Sequence, residues 1–85
     1  MGNPFYEAAN LVLALHTERA KYTKPQYATS EVNWLVGKLQ DLAGVAKCVG
    51  DDNAGFTIDR AARMWINTGR KPAPFNAGDS DVQFY

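Results

Sequence analysis

Apolar residues recur along most of this chain at the three- and four-residue spacing of helices. The segment Phe5–Tyr22 places Phe5, Ala8, Ala9, Val12, Leu15 and Tyr22 on one stripe. Tyr6, Leu13 and Ala20 form a second ridge at seven-residue spacing. A helix with two apolar faces is expected to be covered on both, by its own domain or by a partner. Asn3-Pro4 supplies a cap and a first helical residue, Glu7 suits the first turn, and Pro25 blocks continuation.

The longest regular pattern runs from Glu31 to Val49. Val32, Leu35, Val36, Leu39, Leu42, Ala43, Ala46 and Val49 share one face, Ser30 is the expected cap, and Gly50 is placed to terminate the helix. Asp51–Gly55 reads as a polar turn. Thr57 is then a cap, Phe56 a staple, and Ile58, Ala61, Ala62, Trp65 and Ile66 a third stripe that Gly69 closes. Pro72–Tyr85 has no period. The pattern thus predicts an all-α protein: a small three-helix bundle over residues 1–71, and an extended C-terminal tail over residues 72–85 that is expected to dock.

Composition supports a packed core rather than disorder: 46% of the 85 residues are hydrophobic, and two Trp, four Tyr and four Phe are among them. A chain this short buries only about 60–65% of its unfolded surface, so its stability should be modest unless a partner adds to it. Nine basic and nine acidic residues balance to zero. Net charge therefore draws the chain neither to nucleic acid nor to anionic membrane, and leaves little barrier to self-association. No apolar run reaches the roughly 20 residues of a membrane span, and no secretory signal is predicted. The single cysteine, Cys48, excludes an internal disulfide framework and fits a reducing, cytoplasmic setting.

Candidate chemistry is sparse. His16 and Cys48 are the only nucleophile–base pair on offer, with no activating motif around the thiol. Asp51-Asp52-Asn53-Ala54-Gly55 lacks the spaced ligands and closing Glu of a calcium loop. No glycine spacing matches a phosphate loop. These residues predict no enzyme, no cofactor and no metal.

Three surface features remain. Gly37 and Gly44 lie seven apart on the middle helix, opposite its apolar stripe, with Trp34, Asp41 and Cys48 on the adjoining ridge. Each glycine costs the helix roughly 0.8–1 kcal/mol relative to alanine. Either another backbone packs there with Trp34 as anchor, or the glycines are simply exposed and the Trp folds onto the core. Arg60, Arg63, Arg70 and Lys71 near the third helix form a possible face for nucleic acid or an acidic partner. The long Gly50–Phe56 turn and the lack of basic excess argue against a helix-turn-helix reader. The tail ends in Asp79-Ser80-Asp81-Val82-Gln83-Phe84-Tyr85, where Phe84 and Tyr85 are candidate anchors. It resembles the acidic, Phe-ending tips of bacterial single-strand-binding proteins. Those carry the tip on a β-barrel that this sequence does not predict, so no function is carried over.

The expected function is that of a non-enzymatic protein-interaction or assembly protein. Its partner would be itself, as a homo-oligomer, or a larger complex. An adaptor or inhibitor of the kind phages and viruses encode fits equally. The alternative is a small nucleic-acid-binding protein using the third helix.

Overall fold

A computed structural model describes residues 2–75. Three α-helices follow one another: α1 over Pro4–Ala20, α2 over Ala28–Cys48 and α3 over Asp52–Thr68. A 3₁₀ turn, Pro25–Tyr27, feeds directly into α2. Among the described residues no strand occurs, and no helix is long and apolar enough to cross a membrane.

Asn3 starts α1 as predicted. Its Oδ1 accepts from the backbone N–H of Phe5 at 2.8 Å and of Tyr6 at 3.3 Å. Its amide Nδ2 also donates to Asp51 Oδ2 at 2.8 Å. The other Asp51 oxygen accepts from Ala54 N–H at 3.2 Å and so caps α3. The first turns of α1 and α3 are therefore clasped together at one end of the bundle. At the other end His16, late in α1, meets Trp65, late in α3, edge-on at 5.0 Å. Hence α1 and α3 run side by side in the same direction, and α2 runs back between them.

Two helix starts differ from the sequence reading. α2 begins three residues before Glu31, so Ser30 lies inside the helix rather than capping it. Pro25 presets a helical φ, and the 3₁₀ turn it nucleates passes straight into α2. α3 begins at Asp52, six residues before Ile58. The run read as a polar turn is instead the helix's capped first turn: Asp51 outcompetes Thr57 as the cap, and Asp52 suits the positive helix end. The link between α2 and α3 shrinks to Val49–Asp51, made possible by Gly50 at φ +93°. α3 ends at Gly69, φ +73°, whose N–H donates to Trp65 O at 2.9 Å.

The core consists of Tyr6, Ala9 and Leu13 from α1; Leu35, Val36, Leu39, Ala43 and Ala46 from α2; and Ala54, Ile58, Ala62 and Trp65 from α3. The α2 stripe is the expected one, apart from Val49, which is exposed. On α1 the first stripe is buried only in part. Leu15 is 41% and Tyr22 80% exposed, while the Tyr6/Leu13 ridge points inward with Ala9. Phe5 and Val12 close the edge of the core. Val12 thus sits where the sequence put it, but Leu15 does not.

Residues 71–75 run back along α1 in the opposite direction. Lys71 Nζ donates to Thr17 Oγ1 at 2.6 Å. Asn10 then pairs with the backbone of Phe75 twice: its Nδ2 donates to Phe75 O at 2.8 Å, and its Oδ1 accepts from Phe75 N–H at 2.7 Å. The Phe75 ring stacks on Tyr6, 5.8 Å between centroids and 4° from parallel. An amide that satisfies both polar groups of one residue works like a strand partner, so a segment with two prolines and no period is held in place.

Candidate interaction surfaces

The face of α2 turned away from the core carries Trp34, Gly37, Asp41, Gly44 and Cys48. Trp34 is 47% exposed and does not fold onto the core. Arg19, at the end of α1, lies over its ring at 5.4 Å. The same guanidinium grips Glu31 through Nε and, at 3.2 Å, through a terminal nitrogen. That bidentate pair holds the Glu31 carboxyl below its usual value and fixes the cation against Trp34. A β-carbon added at Gly37 or at Gly44 would meet nothing within 4 Å. Among the described residues neither glycine serves a close approach.

The glycine that does is Gly55, in the first turn of α3. A β-carbon there would stand 2.9 Å from the carbonyl oxygen of Ala43 and 2.5 Å from Lys47 Cγ. The three-residue link brings α3 down onto α2 at this point, and only a missing side chain lets the backbones meet. Gly55 shares the Ile58/Ala62/Trp65 face, a relation hidden as long as residues 51–55 read as a turn.

The sequence reading also passed over a cleft. Arg19, Tyr22, Thr23, Lys24, Tyr27 and Glu31 line a space of about 460 Å³ where the 3₁₀ turn joins α1 to α2. Periodicity could not reveal it, because its walls come from the connection. Two exposed tyrosines flanking Lys24-Pro25 were the available signal. The cleft holds one committed ion pair, the Lys24 ammonium and the rings of Tyr22 and Tyr27.

The basic group near α3 does not form one face. Arg60 and Arg63 are on the outward side, with the exposed Phe56 and Met64 among them. Arg63 pairs with Asp59 at 3.0 Å, one helical turn away. Arg70 lies past Gly69, and Lys71 turns to Thr17 on α1. His16 and Cys48 lie toward opposite ends of the bundle, so no nucleophile–base pair is assembled. Asp51 is committed to its cap and to Asn3. Among the described residues no cluster of three or more His, Cys, Asp or Glu could hold a metal ion. Phe84 and Tyr85 lie outside the described residues. Comparison with protein-family models, with curated proteins and with solved structures finds no match.

His16 makes stability depend on pH. Its Nδ1 is buried and has no hydrogen-bond partner among the described residues. Burial lowers its pKa from the ordinary 6.5, the Lys71 ammonium lowers it further, and Glu31 partly opposes both. The folded chain therefore takes up that proton less readily than the unfolded chain. Stability is full above pH 6.5 and falls as pH drops below it toward the depressed folded value. His16→Phe keeps a ring edge-on to Trp65 and removes the titration. The melting temperature of the parent is expected to fall between neutral and mildly acidic pH, and that of the variant to stay flat there. Equal slopes in the two would contradict this assignment.

Proposed function

We propose that this chain is a non-enzymatic interaction or assembly protein whose contact surface is the outer face of α2. The observation that carries this reading is the state of Trp34. A large aromatic stands half out of the surface, braced by Arg19 and Glu31, beside two glycines that touch nothing. Braced aromatics are the usual energetic anchors of protein contacts. Two glycines inside a helix cost it roughly 0.8–1 kcal/mol each. No packing among the described residues offsets that cost, and a partner seated over bare helix backbone would. The exposed Val45 extends the same surface. The partner is a protein, whether another copy in a self-associating assembly or the target of an adaptor or inhibitor.

Gly37→Leu and Gly44→Leu test the reading. Nothing stands in the way of either side chain, so both variants should melt at or slightly above the parent temperature. Both should weaken association, read by light scattering for self-association and by pull-down for other proteins. Variants that keep the parent's oligomeric state and all of its partners would show that this face is merely exposed helix.

A further inference from the structure

We infer that the partner on this face is a second copy of the chain, packed antiparallel through α2 about a two-fold axis between Leu39 and Gln40. The inference rests on the contact surface proposed above and names its occupant. Along the exposed side of α2, Trp34, Lys38, Asp41 and Val45 follow one another at spacings of four, three and four residues. That spacing keeps the four side chains on one helix face, which here turns away from the core, and its charged centre makes it a polar helix–helix contact rather than an apolar coiled-coil seam.

The order of spacings reads the same in both directions. An antiparallel two-fold axis at the centre of the seam therefore sets each position against another seam position. Trp34 meets the partner copy's Val45 position, and Lys38 meets the Asp41 position, each twice by symmetry. Both central pairings are complementary: an indole against an exposed apolar side chain, and an ammonium against a carboxylate. Among the described residues neither Lys38 nor Asp41 enters an ion pair within the chain, so both are available. A parallel arrangement would set Lys38 against Lys38 and Asp41 against Asp41, and like charges across a contact are strongly disfavoured. Charge thus selects the antiparallel polarity.

Arg19 supports the contact from the side, holding Trp34 upright at one end of each seam. Gly37 and Gly44 leave bare backbone on both sides of Asp41, which gives the partner's long Lys38 side chain room to approach. A contact of about three helical turns is short beside interfaces of standard size, about 1,600 Å² in total. Association should accordingly be reversible and concentration-dependent.

Sedimentation equilibrium of the full chain, from dilute to near-millimolar solution, should show the mass rising from one chain toward two. Lys38→Glu makes both central positions acidic and Asp41→Lys makes both basic. Each substitution lies on solvent-facing helix, and each should weaken self-association by about tenfold or more. An equimolar mixture of the two variants should restore the dimer, a recovery that a misfolded variant could not produce. The native Cys48 reports polarity. The antiparallel seam separates the two sulfurs by about 25 Å along the axis, so mild oxidation should not cross-link the dimer, whereas a parallel seam would bring them together. A parent chain that stays at a single-chain mass throughout overturns the assignment. So do single variants that associate like the parent, a mixture that fails to recover, or ready cross-linking through Cys48. A monomeric parent would leave the α2 face open to a different protein, and the glycine variants decide that question separately.

Discussion

Leu39→Ala is expected to lower the melting temperature by roughly 10–30 °C, the scale on which a few kcal/mol acts in a domain of this size. Leu39 is fully buried in the middle of α2, the helix that packs against both others. Truncating a buried leucine costs about 2–5 kcal/mol, part from lost transfer energy and part from the cavity left behind. Total stability at about 0.05–0.15 kcal/mol per residue leaves a chain this short with little reserve, so the variant should be partly unfolded at ambient temperature. Leu11→Ala, on the exposed side of α1, should change the melting temperature only slightly and serves as the control. A Leu39→Ala protein that melts within a degree or two of the parent would mean that the α2 stripe is not the core.

Gly55→Leu should be the most damaging of the glycine substitutions. The same change at Gly37 or Gly44 adds a side chain into open space and removes a helix-propensity penalty. At Gly55 the first added carbon already stands 2.9 Å from a backbone carbonyl of α2. Lys47 can swing away, but the Ala43 oxygen cannot move without shifting the helix. The two helices must separate where the link between them is only three residues long. Overpacking of this kind costs about 1–3 kcal/mol and occasionally more, enough to outweigh the propensity gained. Thermal melts of the three variants should divide by sign: Gly37→Leu and Gly44→Leu at or above the parent, Gly55→Leu well below. A Gly55→Leu variant as stable as the parent would contradict the close approach of α2 and α3.

The three-helix architecture was legible in the sequence because α2 carries an uninterrupted stripe of large apolar residues, which only one helical phase can bury. The phase of α1 was not. Its two apolar ridges each permit burial, and periodicity alone cannot choose between Val12/Leu15 and Tyr6/Leu13. Long-range partners choose: Phase is set by Tyr6 stacking on Phe75 and by Asn10 holding that residue's backbone, 65 positions away in sequence. The start of α3 was hidden for a different reason. Ala54 and Gly55 are buried but carry almost no hydrophobic signal, so a first turn built from Asp, Asn, Ala and Gly has the composition of a loop. The candidate surface divides along the same line. Trp34, Gly37, Asp41 and Gly44 were found together because one helix displays them. The tyrosine-lined cleft was missed because its residues come from a connection. The four basic residues looked like a face because they are neighbours in sequence, and Lys71 leaves that face once the chain turns back along α1.

The claim that the outer face of α2 is the contact surface is tested most directly by NMR of the full chain across a concentration series. Amide and indole shifts would be followed as self-association sets in. The account predicts that the concentration-dependent shifts cluster at the Trp34 indole N–H and at the amides of Gly37, Lys38, Asp41, Gly44 and Val45, while Arg60 and Arg63 on α3 stay fixed. Shifts that cluster on α3 or on the Leu11/Leu15 side of α1, with Trp34 unchanged, would contradict it.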